Sequence, residues 1–214
     1  MSIAPMPSHF EILPVEHPHS IRRARLLLEL DQLVAFPTDT VYGLAARIDS
    51  ARGIDRLFSA KGRENTKAIA VLLGSVDQVD RVASGWDPRA HRLADHFWPG
   101  ALTLIVPKRA GLPEDLSPYP TVGIRIPDHE FTIRLLKECG PLATTSANLS
   151  GQANALTAVD VLNQLGTRIE MILDGGPVSG GIPSTVVDCT TPEIKILRQG
   201  AIPADQIFAV AGQV

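Results

Sequence analysis

The sequence predicts an α/β fold in which helices pack against a mixed β-sheet. Short apolar runs of strand length recur along the 214 residues, and amphipathic helical patterns separate several of them. Other apolar runs follow each other through turn-rich connections such as "DCTTPE" at 188–193, which indicates a sheet that is not purely parallel. With 44% hydrophobic residues, no repeat and no break in composition, we expect one domain over 1–214, with a polar lead at 1–19.

The predicted elements follow in order along the chain. Ser20 is expected to cap a helix that places Ile21 and Leu28 on its apolar face. The helix that begins at Thr157 has the best-marked limits, because Thr157 is a good N-cap and Gly166 follows its last residue. We predict strands at 33–36, 68–73, 102–106, 122–126, 141–145, 169–173, 184–188 and 194–197. We predict further helices at 51–60, 75–83, 88–96, 130–139, 157–165 and from Pro203 onward.

Charge and composition narrow the class of function. The formal net charge is -3 and the sequence pI is about 6.1, so no global basic field drives non-specific nucleic-acid binding. The two cysteines form no C-x-x-C pair, which favours a reducing compartment. No apolar run approaches the roughly 18 residues that span a bilayer, and the N-terminus has no signal pattern. We therefore expect a cytoplasmic protein with no membrane partner.

Polar stretches lie at the ends of the predicted strands and helices, where α/β proteins usually build their sites. They are "PTDT" at 37–40, "SAKGRENTK" at 59–67, "TTSANLSG" at 144–151, "GIPSTVVD" at 181–188 and "ILRQG" at 196–200. Two interpretations of "PTDT" remain open at this point. It is a proline turn in which Asp39 or Thr40 caps a following helix, or a hydroxyl pair that holds a small polar substrate.

The basic stretch "SAKGRENTK" also has two interpretations. In one, a helix ends at Gly62, and Lys61 and Arg63 lie near the negative end of its dipole. In the other, Lys61, Arg63 and Lys67 form a loop whose three cations hold a polyphosphate or a carboxylate. The residues alone do not decide between the two.

Several other residues are candidates for ligand binding. The small side chains of "TTSANLSG" and their backbone N–H groups suit phosphate oxygens. Arg125 interrupts an apolar strand and is a candidate carboxylate clamp, and Arg198 follows "IL" in the same manner. The run "DGGPVSGG" at 174–181 is interpreted as a mobile turn. Scattered histidines and the absence of a G-x-S-x-G elbow argue against a protein metal site and a covalent intermediate.

Taken together, seven ordered stretches resemble the YrdC/Sua5 family of threonylcarbamoyl-AMP synthases. They are "FPTDTVYGLAA", "AKGR", "WPGALTLIV", "VGIRIPDH", "TTSANLSG", "DGG", and "STVVD" with "ILRQG", and they extend from about residue 20 to about residue 210. The resemblance implies a twisted, mostly mixed open sheet with a large concave cavity. It also implies a nucleotidyltransferase that makes L-threonylcarbamoyladenylate from L-threonine, bicarbonate and ATP and releases pyrophosphate. This reaction begins the N6-threonylcarbamoyl modification of adenosine 37 in tRNA.

The resemblance also implies roles for individual residues. Lys61 and Arg63 would be the catalytic cations of a K-x-R pair. The residues near threonine would be Thr38, Arg125, Thr144 and Ser184, with Arg125 on the carboxylate. The residues near ATP would be Lys61, Asn65, Thr121, Ser146, Asn148, Asn154 and Arg198. Mg²⁺ is expected to accompany ATP, with no tightly bound metal site on the protein.

Further expectations concern partners and departures from the family pattern. We expect possible contact with tRNA and a downstream threonylcarbamoyl-transferase complex. Glu64 stands where the family usually has proline, and Pro183 where it often has glutamate. Because the sequence ends at Val214, it looks like the short stand-alone form. Two alternatives remain: an RNA-binding module of the same fold, disfavoured by the 5% aromatic content, and another carbamoyl-adenylate-forming enzyme of the hydrogenase-maturation type.

Overall fold

A computed structural model describes residues 10–62 and 68–212 of the chain. The strands form a ten-stranded mixed sheet with the order β1-β8-β2-β3-β7-β4-β6-β5-β9-β10. They are β1 (Glu11–Pro14), β2 (Val34–Phe36), β3 (Gly43–Arg47), β4 (Ala70–Leu72), β5 (Leu102–Pro107), β6 (Thr121–Arg125), β7 (Leu142–Ser146), β8 (Met171–Asp174), β9 (Thr185–Asp188) and β10 (Lys195–Arg198). Both parallel and antiparallel pairs occur, so the predicted mixed sheet is confirmed.

Helices pack on both faces of this sheet. They are α1 (Ser20–Glu29), α2 (Ala51–Lys61), α3 (Pro88–Phe97), α4 (Glu130–Cys139), α5 (Ala158–Leu165) and α6 (Ala204–Ala211). Helix α5 begins with the expected cap, a capping box in which the Thr157 hydroxyl accepts from Asp160 N and the Asp160 carboxylate accepts from Thr157 N. Helix α2 ends where predicted, because Gly62 adopts the left-handed conformation with φ of 59°.

The eight predicted strands are all present within two residues of their expected bounds, and three other expectations are wrong. Ser20 is the first residue of α1 rather than its cap, because its hydroxyl donates to the Val15 carbonyl. The segment Val76–Arg81 is a 3₁₀ helix and not an α-helix. No helix follows "PTDT"; the strand β3 does, and it pairs antiparallel with β2. The sequence interpretation missed β3 and the edge strand β1.

The sheet has one face that is only partly covered. Helices α1 and α4 contact each other on one face of the sheet. Their apolar residues pack with residues of β8, β2, β3, β4 and β7. The register places Leu72 opposite Arg125 and Leu142, so Arg125 points to the same face as that helix pair. Helices α2, α3, α5 and α6 pack into the larger apolar core on the other face. Among the described residues, none in β6, β5 or β9 belongs to the apolar cluster of α1 and α4, so this part of the face is available for a site.

Candidate active site

A cavity of about 410 Å³ lies on this partly covered face. Its floor is formed by residues of alternate positions on neighbouring strands, which face the same side of the sheet. The polar residues that line it are Thr38, Thr40, Thr103, Arg125, Thr144, Thr145, Ser146, Asn154, Ser184 and Arg198. A cavity lined by hydroxyl and guanidinium groups suits a ligand that carries anionic oxygens.

The "PTDT" stretch forms a turn at one end of the cavity. The Thr38 hydroxyl donates to the Val41 carbonyl over 2.6 Å and accepts from the N–H groups of Thr40 and Val41, each at 3.2 Å. Thr38 lines the cavity, as its predicted role requires, but its single donor is already used inside the turn. The hydroxyl of Thr40 lies 3.1 Å from that of Thr38 and is the second hydroxyl of the turn.

Arg125 is held at the same end by two segments distant in sequence. Its Nη2 donates to Asp39 Oδ1 over 2.5 Å, and its Nη1 donates to Thr40 Oγ1 over 3.1 Å. Its Nε donates to the Gly100 carbonyl over 2.8 Å. A guanidinium has five N–H donors, so two have no partner among the described residues and can bind a ligand. Burial lowers the pKa of Arg125, and the negative charge of Asp39 opposes that change.

Two contributors to this arrangement were missed from the sequence. Asp39 was considered only as a helix cap or part of a polar turn, whereas it pairs with Arg125, 86 positions away. The "WPG" stretch had no assigned role, and it supplies the Gly100 carbonyl that orients the same side chain. The signal in the sequence was the isolated arginine in an apolar strand, because a buried guanidinium requires an anionic partner.

The glycine-rich segment 174–181 packs against the "PTDT" turn instead of forming an isolated loop. The Tyr42 hydroxyl donates to the Gly176 carbonyl over 2.8 Å, and burial raises the pKa of Tyr42 to about 12. The N–H of Gly181 donates to the Thr40 carbonyl over 2.8 Å. A Cβ at Gly180 would lie 2.4 Å from the Asp39 carbonyl oxygen, so only glycine fits there without a shift. The glycine-rich segment therefore packs closely against the "PTDT" turn and holds it in position.

Lys61 lies at the end of α2 and is buried beneath the "TTSAN" loop. Its Nζ donates to the Ser146 carbonyl over 2.5 Å and to the Asn148 carbonyl over 2.6 Å. The ammonium thus binds carbonyls of a neighbouring loop in addition to lying near its helix end. The Asn148 amide donates to the carbonyls of Leu149 and Gln152, while its buried Oδ1 has no hydrogen-bond partner within the described residues.

The opposite end of the cavity lies at strands β9 and β10. Arg198 is exposed at the rim, and its Nε and Nη2 donate to the Ser184 carbonyl over 3.2 and 2.9 Å. Its Nη2 also donates to Ser184 Oγ over 3.2 Å, and Ser184 Oγ lies 2.8 Å from Thr103 Oγ1. Partial burial, and secondarily the charge of Arg125, lower the pKa of Arg198. The cavity therefore brings two guanidinium groups within electrostatic reach of each other.

Most of the residues expected at the site line this one cavity. The cavity contains all four expected threonine contacts, Thr38, Arg125, Thr144 and Ser184, and three expected ATP contacts, Ser146, Asn154 and Arg198. Lys61, Asn148 and Thr121 lie outside its lining, although Thr121 shares the face of β6 with Arg125. Arg63 and Asn65 lie outside the described residues, as does the departure at Glu64. Pro183, the second departure, lines the cavity beside Ser184.

The described residues contain neither a metal-binding cluster nor a membrane-spanning helix. Within 10–62 and 68–212 no cluster of three or more His, Cys, Asp or Glu side chains could hold a metal ion. Over the same ranges, no helix has the length and apolar character needed to cross a membrane.

The chain is similar to known proteins of one family. The family model Sua5_yciO_yrdC, described as "Telomere recombination", matches residues 27–200. The chain belongs to the Sua5/YciO/YrdC family. It is 40% identical over 200 residues to the threonylcarbamoyl-AMP synthase of Bacillus subtilis, covering 91% of this chain and 57% of that protein. It is 39% identical over 190 residues to the threonylcarbamoyl-AMP synthase of Rattus norvegicus, covering 85% of this chain and 67% of that protein.

A solved structure of the Sua5/YciO/YrdC family has the same fold. The crystal structure of P. abyssi Sua5 complexed with L-threonine superposes with a TM-score of 0.91 at 35% identity. The alignment covers 95% of this chain and 62% of that one. The chain thus spans less than two thirds of the length of the B. subtilis and P. abyssi relatives. The YrdC-like fold expected from the sequence motifs is confirmed.

Proposed function

We propose that the protein makes threonylcarbamoyl-AMP from L-threonine, bicarbonate and ATP and releases pyrophosphate, as a nucleotidyltransferase. The observation that carries the proposal is a cavity in a Sua5/YciO/YrdC protein, with a buried guanidinium at one end and a second at its rim. An amino acid carboxylate and a nucleotide phosphate are both anions that need such donors. Relatives of 39–40% identity carry the name of this activity.

The Arg125 end is proposed to bind L-threonine. Arg125 is nine-tenths buried and has two N–H donors left after its three protein contacts, which suits a carboxylate. Thr144 and Ser184 also line the cavity and would contact the rest of the amino acid. Thr38 would act mainly by closing the turn that positions Thr40, since its own donor is used there.

The rim end is proposed to bind ATP with its Mg²⁺. Arg198 at this rim, together with Asn154 and Ser146 elsewhere in the cavity lining, would contact the nucleotide. Lys61 would add positive charge beneath the loop that carries Ser146, and Arg63, Asn65 and Asn148 would complete the nucleotide site. Phosphate oxygens and water would supply most ligands of Mg²⁺, as is usual for a metal that arrives with a nucleotide.

The chemistry requires two bonds to form in sequence. The neutral amine of threonine attacks the carbon of bicarbonate, one C–O bond of bicarbonate breaks, and its oxygen leaves as water with the amine proton, which gives a carbamate. If carbon dioxide is the acceptor, the amine adds to its carbon and loses a proton to give the same carbamate. A carbamate oxygen then attacks the α-phosphorus of ATP, and the bond between that phosphorus and the pyrophosphate oxygen breaks. Holding both reactants in one cavity raises their effective concentration, and cations stabilise the charge on the departing phosphates.

The product would be consumed in tRNA modification. We propose that threonylcarbamoyl-AMP passes to a threonylcarbamoyl-transferase complex that modifies adenosine 37 of tRNA, and that this protein can itself contact tRNA. The mildly acidic composition provides no general nucleic-acid field, so we assign the transfer step to the partner complex.

The test is pyrophosphate release from ATP by the purified protein. L-threonine and bicarbonate are supplied together and then omitted one at a time. We expect release only when both are present, and mass spectrometry should detect threonylcarbamoyl-AMP. Release with carbamoyl phosphate in place of threonine and bicarbonate would support the alternative carbamoyl-adenylate enzyme. RNA affinity without any turnover would support the binding-module alternative.

A further inference from the structure

The floor of the cavity carries a pair of hydroxyl groups, those of Thr103 and Ser184. Ser184 was expected at the site, whereas Thr103 had no predicted role. Thr103 and Ser184 are both about one-twentieth exposed, and their hydroxyl oxygens lie 2.8 Å apart. Both residues line the cavity, although they are 81 positions apart in the sequence. The pair is therefore built by the sheet and not by local sequence.

Strand register places Thr103 in the row between the two guanidinium groups. Leu104 of β5 pairs with Ile124 of β6, so Thr103 lies opposite Arg125 at the next step of the antiparallel ladder. On its other side Thr103 pairs with Val186 of β9, which pairs in turn with Arg198 of β10. Three strand spacings of roughly 4.8 Å separate the arginines, about 14 Å in all.

The two hydroxyl groups have one more O–H donor than their contact with each other uses. Ser184 Oγ accepts from Arg198 Nη2 over 3.2 Å, and one hydroxyl proton lies between Thr103 and Ser184. Each hydroxyl has one proton, so whichever residue donates across the 2.8 Å contact leaves the other with a proton that has no acceptor among the described residues. Because both residues line the cavity, that proton is available to a bound acceptor.

The orientation of Thr103 is set by the neighbouring strand. A Cβ on Gly123 would lie 3.0 Å from Thr103 Cγ2, so the threonine methyl group packs directly over the glycine. That packing turns the hydroxyl toward Ser184, since the two γ substituents of threonine occupy different rotamer positions. The position of the donor is thus fixed before any ligand binds.

We propose that Thr103 and Ser184 together form a substrate contact that donates one shared hydroxyl proton to an anionic oxygen bound between Arg125 and Arg198. The acceptor is a carboxylate oxygen of the amino acid or a phosphate oxygen of the nucleotide. Only the naming of these two ligands rests on the proposed function. The donor itself follows from the geometry of the two hydroxyls and the two arginines.

Calorimetric titration tests the contact without requiring turnover. L-threonine and ATP with Mg²⁺ are titrated separately into the wild type, Thr103→Val, Ser184→Ala and the double variant. We expect each single change to weaken one of the two ligands by about 3- to 10-fold, because the remaining hydroxyl still donates but is less well held. The double variant should weaken that ligand by more than the product of the two single effects, since no donor remains. Thr103→Ser should restore most of the affinity.

The ligand that loses affinity identifies the source of the anionic oxygen. A control variant, Thr190→Val, removes a hydroxyl that bonds Asp188 in an exposed turn and should leave both affinities unchanged. Circular dichroism and thermal unfolding establish that each variant is folded. Unchanged affinity for both ligands in a folded double variant overturns the proposal, as does a wild type that binds neither. A wild type that binds ligand without releasing pyrophosphate overturns the proposed function but still tests this contact.

Discussion

The two arginines of the cavity differ sharply in how the protein holds them. Arg125 is buried and bonded to Asp39, Thr40 and the Gly100 carbonyl, whereas Arg198 is exposed on an edge strand and, among the described residues, its side chain bonds Ser184 alone. The first is fixed by a carboxylate and a backbone carbonyl from separate segments. The second is held by fewer segments, because β10 has a register irregularity beside Arg198 and pairs with β9 alone among the described strands.

This difference indicates how the cavity divides its work. A small, rigid amino acid needs donors in fixed positions, and a preorganised guanidinium loses little entropy when it binds a carboxylate. A nucleotide is larger and reaches the solvent, so a donor at the rim can adjust to it. We therefore expect a change at Arg125 to cost more than a change at Arg198.

The variant with the largest expected effect tests an anchored cation outside the cavity lining. Lys61→Ala should reduce turnover by roughly a hundredfold or more, because it removes a charge proposed to stabilise phosphate. It should also lower the free energy of unfolding by about 2 kcal/mol, since two loop carbonyls lose a charged donor. Steady-state pyrophosphate release and chemical denaturation measure the two effects.

The control for Lys61 is another lysine that binds a carbonyl. Lys108 Nζ donates to the Ser117 carbonyl over 2.8 Å, and neither residue lines the cavity. Lys108→Ala should lower stability and leave turnover unchanged. A folded Lys61→Ala protein with normal turnover would show that Lys61 only supports the loop.

Arg125→Lys tests the anchored end directly. Lysine keeps a positive charge for Asp39 but loses the planar fork, so we expect kcat/KM for L-threonine to fall by roughly thirtyfold with a smaller change in KM for ATP. The matched control is Arg89→Lys, which alters an arginine–aspartate pair with Asp87 outside the cavity and should not change either constant. Equal losses for both substrates would contradict the division of the cavity.

The sequence predicted the sheet and much of the cavity because these depend on local pattern. Apolar runs of strand length located eight strands, and polar residues at their ends marked the stretches that meet at the cavity. It missed β3 since "GLAA" is apolar at every position but has no β-branched residue, so nothing distinguished it from a short helix. It missed β1 because four residues at a sheet edge carry little pattern.

The partners of the site residues could not be predicted from the sequence for a different reason. Asp39 and Arg125, like Thr103 and Ser184, meet only after strands distant in sequence take their places in the sheet. Spacing along the chain contains no information about such contacts. The role of Gly180 was hidden in the same way, because its close approach is to the backbone of Asp39 and Thr40.

Gly180→Ala sharpens the comparison by moving the turn without substituting a residue of the cavity lining. The added Cβ would lie 2.4 Å from the Asp39 carbonyl and 2.7 Å from Thr40 Cα, so the turn must shift. We expect KM for L-threonine to rise about tenfold, because a displacement near 1 Å at a positioning element has large effects. Gly181→Ala is the neighbouring control: it strains a φ of +66° but has nothing within 4 Å of its Cβ, so it should mainly lower stability.

Arg198→Ala is expected to have the smallest effect on activity and to fall on the other substrate. An exposed charge contact contributes about 1 kcal/mol or less, which corresponds to a rise of roughly threefold to fivefold in KM for ATP. Salt screens a charge at the rim, because the Debye length shortens as ionic strength rises. The difference in KM for ATP between Arg198→Ala and the wild type should therefore shrink as salt is raised from about 0.05 to about 0.5 M. The Arg125→Lys defect should persist over that range, since its ion pair is buried. If salt instead abolished the Arg125→Lys defect and left that of Arg198→Ala intact, then the buried end would be the adjustable one, and the assignment of the two ends would have to be reversed.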